Sequence, residues 1–181
     1  MTKQKLKPLI PYAGLPVICV ALLLIRGIDG ESNALLRFEA LAVFGYAASV
    51  YDIKDKRIPN ALVLIMLGAW VVITIPYLFC DTANAIAALA SSVAGFALAV
   101  ILFLLVYFAS RKGLGGGDVK FMAAAGLYLG IQNTLPAILY GAVLSAVTGI
   151  ILILAKKMGR KDAIPFAPFL YVGILLTIFF R

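Results

Sequence analysis

An all-α, polytopic bundle of transmembrane helices is the fold this sequence predicts, and three observations predict it. The chain of 181 residues is 64% hydrophobic and only 13% charged, well beyond the roughly one-half apolar share of soluble domains. Its apolar residues form continuous runs without the period-two alternation of a barrel strand. Its sixteen basic residues, which give a net charge of +8, gather in short clusters between those runs. That is the pattern of membrane topology and contact with membrane lipid, with no nucleic acid implied.

A hydrocarbon core about 30 Å thick takes about 20 helical residues to cross, and the sequence offers about seven such runs. The first, Pro8 to Ile25, follows a basic amino terminus. It is longer than a signal-peptide core and no small-x-small cleavage site follows before Arg26, so it reads as an uncleaved signal anchor. The second, Leu35 to Tyr51, ends in the polar cluster Asp52 to Arg57, and Pro59-Asn60 marks the turn into the third, Ala61 to Cys80. The fourth spans Ala85 to Ser110. The fifth, Val119 to Gly130, is shorter than a full span. It reads either as a half-helix, which lowers the count to six, or as a helix continuing through Ile131-Gln132-Asn133 into the sixth, Leu135 to Ala155. The last, Ala163 to Phe180, carries Pro165 and Pro168 at its entrance, where proline is tolerated. All runs belong to one transmembrane domain, residues 1–181.

Charge arbitrates the count. With seven crossings and the amino terminus inside, Lys3, Lys5, Lys7, Lys54, Lys56, Arg57, Arg111, Lys112, Lys120, Lys156, Lys157, Arg160 and Lys161 all face the cytoplasm, leaving only Arg26, Arg37 and Arg181 elsewhere. Six crossings would move the last cluster to the other side, so the positive-inside rule favours seven.

Ionisable groups at membrane depth are costly and persist where they face a polar cavity and take part in function. Of eight acids, Asp52 ends the second run and Asp118 opens the fifth, both on the cytoplasmic face of this topology. Two carboxyl groups in one site divide a proton between them. The ionised one can then deprotonate a water while the neutral one donates to a scissile carbonyl, which is the chemistry of an aspartyl protease. With no histidine, and with Cys19 and Cys80 each alone in an apolar run, neither a metal site, a cofactor nor a disulfide framework is expected.

Gly115, Gly116 and Gly117 read as a loop free to adopt unusual dihedrals and to let an extended substrate backbone approach the pair. A phosphate-loop reading fails, because no Gly-Lys-Ser/Thr follows and Asp118 would repel an anion. Each acid also has a plainer reading: Asp118 as a helix N-cap, Asp52 as the solvated partner of Lys54, Lys56 and Arg57. Asp55, on nearly the same helix face as Asp52, is the substitute candidate. Lys120 reads as an interfacial anchor or as a group that tunes the pair, Pro59 and Asn60 as loop-shaping residues, and Gly126 and Gly130 as close helix packing. Pro165 and Pro168 read as helix-entrance residues or as a lining of the substrate's path.

Tyr51-Asp52 through Ile58-Pro59-Asn60, together with Gly115-Gly116-Gly117-Asp118-Val119-Lys120, resemble the two signature blocks of type IV prepilin peptidases. The likeness extends from about Leu41 to Phe169, including Ile164-Pro165-Phe166-Ala167-Pro168-Phe169. It implies that Asp52 and Asp118 are the catalytic pair and that Pro59 and Asn60 belong to the site's scaffold. It also implies a substrate that is a prepilin-like protein with a short basic leader, cut at the cytoplasmic face of the inner membrane. Larger members of that family resemble bifunctional enzymes with paired Cys-x-x-Cys motifs and methyltransferase activity. Nothing between Met1 and Leu41 looks like that region, so the expectation is the compact, peptidase-only branch. Presenilin-like or signal-peptide-peptidase-like proteases share Tyr-Asp and Gly-x-Gly-Asp, but the Ile58-Pro59-Asn60 block favours prepilin processing. A small proton- or cation-coupled transporter using the two aspartates would place them near the midplane and show an inverted repeat. Neither is evident, and a noncatalytic scaffold is the remaining alternative.

Overall fold

Inside hydrocarbon a peptide group finds no water, so each segment must close its own hydrogen bonds. In the computed structural model, which describes residues 32–110, 114–156, 159 and 164–180, the apolar runs do so as five helices. These are α1 (Ser32–Asp55), α2 (Asn60–Cys80), α3 (Thr82–Ala109), α4 (Gly116–Leu154) and α5 (Ala167–Phe179). The first predicted run, Pro8 to Ile25, lies outside the described residues. Helices α1 to α4 contain stretches long and apolar enough to cross a bilayer, and α5 is a shorter apolar helix. Leu64, Ile65, Val72, Phe79, Phe108 and Leu154 all face outward and exposed, a surface suited to lipid and not to water.

The connections are short and chemically defined. Helix α1 runs past Tyr51, taking Asp52 into its last turn. It stops where Lys56 enters the left-handed region (φ 50) and gives its N–H to the Asp52 carbonyl at 3.0 Å. Pro59, extended at φ −62 and ψ 136, is the N-cap position of α2. Only Asp81 separates α2 from α3, and its Oδ1 accepts the Asn84 N–H at 3.4 Å.

Helix α4 joins the fifth and sixth predicted runs into one element, interrupted at a single residue. Gly130 has φ 68 and ψ 175, a conformation open to glycine and strained for other residues. The interruption reverses the chain. A straight helix would carry Gly149 about 48 Å from Gly117 at ~1.5 Å per residue. Yet Gly117 lies against Ile58 beside Asp52, and Gly149 lies against Ile164, three residues from Ala167, which hydrogen-bonds Asp52. Both ends of α4 therefore reach the same side of the bundle. The first half, Gly116 to Leu129, is about 21 Å long, short of a full hydrocarbon span, as the brevity of the fifth run suggested.

Glycines let these backbones touch. A Cβ on Gly95 of α3 would sit 2.5 Å from the Gly126 carbonyl, and one on Gly126 would sit 2.6 Å from the Gly95 carbonyl. Gly141 in the second half of α4 faces Leu170 of α5, and Gly173 of α5 abuts Ala137 and Gly141. Small residues drive such contacts in lipid because dispersion at close range replaces the absent hydrophobic effect. The α3–α4 and α4–α5 interfaces are accordingly the most extensive in the bundle. Two buried side chains then tie α2 to the first half of α4: Trp70 Nε1 donates to the Leu127 carbonyl at 3.0 Å, and the Tyr128 hydroxyl to the Met66 carbonyl.

Candidate active site

The end of α1 and the start of α4 meet at one cleft. Asp52, Lys56, Arg57 and Ile58 line it from the first, and Gly115, Gly116, Gly117 and Asp118 from the second. Its volume is about 320 Å³. At ~30 Å³ per water, that is room for roughly ten waters or for a short stretch of extended chain.

Both aspartates are buried, Asp52 to 6% exposure and Asp118 to 7%. A third element holds the first of them: Asp52 Oδ2 accepts the backbone N–H of Ala167 at 2.9 Å. Ala167 opens α5, where the first-turn amides have no intrahelical acceptor, so its N–H is available to a carboxylate delivered by another helix. Ser49, one turn before Asp52, bonds the Gly45 carbonyl at 2.8 Å and reaches the Ala167 carbonyl at 3.5 Å. Ala167 is thus gripped on both sides by one face of α1.

Asp118 occupies a different position from the helix cap that its place after three glycines suggested. The N-cap is Gly115, and Asp118 is the third helical residue, giving its own N–H to the Gly115 carbonyl at 3.1 Å. Its Oδ2 folds over Gly115 so closely that a Cβ there would lie 2.8 Å away. Its Oδ1 is buried with no hydrogen-bond partner among the described residues. A buried polar oxygen in that state is costly, and it is left available to a water or a substrate group in the cleft.

The expectation of unusual glycine dihedrals is corrected by the structure. Gly115 sits at φ −66 and ψ 132, Gly116 and Gly117 begin α4, and the positive-φ glycine among the described residues is Gly130. Spatial economy is what the three glycines provide. A Cβ on Gly117 would come within 3.2 Å of Ile58 Cβ, while one on Gly116 would meet nothing within 4 Å. The two signature segments therefore pack through Gly117, and Gly116 leaves the cleft mouth open.

Other candidates separate clearly. Asp55 is exposed and does not line the cleft. Lys120 Nζ donates to Asn60 Oδ1 at 3.0 Å, joining the starts of α4 and α2 at the surface. Pro165 and Pro168 flank Ala167 in sequence, with Pro168 in the first turn of α5, and neither lines the cleft. Among the described residues no cluster of three or more His, Cys, Asp or Glu is placed to hold a metal.

Three residues of this site, Lys56, Arg57 and Ala167, escaped sequence reasoning. Lys56 and Arg57 were read as topology signals and as solvated partners of Asp52, not as part of the site, although they wall the cleft with positive charge. Ala167 contributes a backbone amide, which no side-chain pattern can announce.

Comparison with known proteins adds independent findings. The model of the type IV leader peptidase family matches residues 39–154. The prepilin leader peptidase/N-methyltransferase of Burkholderia pseudomallei strain K96243 is 32% identical over 152 residues, covering 83% of this chain and 48% of the relative. The protein of that name from Xanthomonas campestris pv. campestris is 28% identical over 163 residues, 90% of this chain and 55% of the relative. The one from Bacillus subtilis strain 168 is 31% identical over 132 residues, 71% and 49%. The chain therefore spans about half the length of the curated relatives it matches. No solved structure matches it.

Proposed function

This chain belongs to the type IV leader peptidase family, and from that premise we propose that it is a membrane aspartyl endopeptidase that removes the basic leader from prepilin-like precursors. The observation that carries the reading is the convergence of Asp52 and Asp118, brought from two helices to line one cleft and both buried. Its setting is a multi-pass, lipid-embedded helical protein. In the proposed topology the cleft faces the cytoplasm and the protein resides in the inner membrane, which the clustering of basic residues supports. Residues 1–181 act as one peptidase domain.

In the proposed reaction, water enters between the two carboxyl groups. One carboxylate takes a proton from it as it attacks the scissile carbonyl, and the other, protonated, donates to that carbonyl oxygen. Collapse of the tetrahedral intermediate returns the proton to the departing amine. Ala167 and Gly115 keep the two carboxyl groups in place by a hydrogen bond and by close packing, so that little reorganisation remains for the reacting state. The open side at Gly116 admits the substrate backbone. Lys120 and Asn60 brace the site, while Pro59, Pro165 and Pro168 set the entries of α2 and α5.

Cleavage of a co-reconstituted prepilin, followed by mass spectrometry of the product, tests this reading. Asp52→Asn and Asp118→Asn should each abolish cleavage while the variants insert at normal abundance, since an amide can neither take nor share the proton. Asp55→Asn should retain substantial activity. Normal cleavage by either Asp52→Asn or Asp118→Asn would overturn the dyad.

A further inference from the structure

The cleft between Asp52 and Asp118 has an electrostatic sidedness. Its two acids are buried, whereas Lys56 and Arg57, which wall it from the end of α1, are exposed. A charged group arriving from water therefore meets the cations before it meets the acids. The facing wall, Gly115 to Gly117, carries no side chains, and a Cβ on Gly116 would meet nothing within 4 Å.

Of the two cations, Arg57 is the one whose charge is uncommitted. Lys56 already has an interaction within the fold, while no hydrogen bond or ion pair holds the Arg57 guanidinium among the described residues. Lys54 and Asp55, close by in sequence, are exposed and do not line the cleft. Lys120, near the start of α4, is tied to Asn60 Oδ1 at 3.0 Å. A guanidinium keeps its charge at any working pH, so the Arg57 side of the rim is permanently positive.

The cleft volume of about 320 Å³ corresponds to a sphere about 8.5 Å across, the length of two or three residues of extended chain at ~3.3 Å each. A basic leader laid along the Arg57 wall would bring like charges together over so short a span, and along the glycine wall it would not. The other side of the scissile bond leads into the substrate's apolar helix, and α1 exposes Tyr51 and Ile53 next to Asp52 near its end. From these observations, and resting on the peptidase reading, we infer that Arg57 sets the direction in which a precursor lies in the cleft. The leader runs along Gly115 to Gly117, the first residues of the mature segment pass Arg57, and Arg57 rejects a basic residue among them by repulsion. Such a built-in repulsion discriminates between substrates without any dedicated pocket, and it makes Arg57 a specificity-determining residue.

The test measures kcat/KM for the full chain in liposomes, using one prepilin carrying Gln, Lys or Glu at the third residue after the scissile bond, or Gln or Lys at the third residue before it. For the wild type, Lys on the mature side should lower kcat/KM about fivefold relative to Gln, the scale of one exposed charge pair. That penalty should shrink in 1 M salt, where the screening length falls to about 3 Å. Arg57→Gln should remove the penalty, and Arg57→Glu should turn it into a preference for Lys over Glu, a reversal that a misfolded variant cannot produce. Lys54→Gln should keep the wild-type penalty, and leader-side substitutions should have the same effect in every variant. An identical mature-side penalty in the wild type and Arg57→Glu would overturn the inference. So would a change in leader dependence in Arg57→Glu, or an equal loss on all substrates, which would make Arg57 a structural or lipid-anchoring residue. Efficient cleavage with no charge dependence would overturn the Arg57 assignment alone, whereas no cleavage of any substrate by the wild type would overturn the peptidase reading with it.

Discussion

Asp52 Oδ2 and the backbone N–H of Ala167, 115 residues apart in the chain, are joined by a 2.9 Å hydrogen bond. The last helix therefore holds one of the two buried carboxylates, although it contributes no acid of its own. Ala167→Pro removes that donor at a position where proline suits the helix start, although Phe166 before it is helical (φ −94, ψ −31), which a following proline disfavours. Cleavage should fall at least about tenfold, the equivalent of a bond to a charged group worth roughly 1.5–3 kcal/mol. Ala167→Gly should remain close to wild type. Product formed per inserted molecule is the measurement, and an unchanged rate in the proline variant would show that Asp52 needs no such support.

Gly117 packs on Ile58 with 3.2 Å available to any added Cβ. Gly117→Val should therefore spread the two signature segments, costing about 1–3 kcal/mol by overpacking and depressing cleavage more than insertion. Gly117→Ala should be milder. Gly116→Ala, with open space around it, should insert normally. Wild-type cleavage by the valine variant at normal abundance would mean that this contact does not position Asp118.

Gly130 carries both a positive φ and a tight contact, since a Cβ there would meet Ser91 Oγ at 2.6 Å. Gly130→Ala should destabilise the folded protein in detergent by at least about 1–3 kcal/mol, the usual cost of a side chain in a sparsely populated backbone region. Ser91→Ala in the same chain should relieve only the steric share. A thermal-unfolding midpoint equal to that of the wild type would mean that the reversal at Gly130 tolerates a side chain.

Lys120 and Asn60 form an exposed bond at 3.0 Å between the starts of α4 and α2. Exposed polar links contribute little to stability, about 1 kcal/mol or less, so Lys120→Gln and Asn60→Ala should insert normally. A double-mutant cycle on cleavage rate should nevertheless show coupling, because the pair ties α4, which carries Asp118, to the residue two positions after Ile58 on the opposite wall of the cleft. Strict additivity would assign Lys120 to its alternative reading, an interfacial anchor.

Much of this protein was legible from its sequence because the governing physics is one-dimensional. Apolar run length sets which segments can cross a bilayer, and the desolvation cost of charge singles out aspartates at run ends. Asp52, Asp118 and the helices that carry them could therefore be named before any coordinates. Tertiary structure decided what depends on where backbones meet. What happens at the end of the fifth run was decided at Gly130, where one residue's non-helical dihedrals and the close approach of Gly95 and Gly126 divide α4 into two halves and turn the chain back. Asp118 moved from the cap to the third helical position because Gly115 took the cap. The Ala167 amide reached Asp52 only through packing of the last helix on the first. Every residue carries a backbone N–H, so no letter in the sequence distinguishes the one that finds a buried carboxylate, and only the assembled bundle brings the two together.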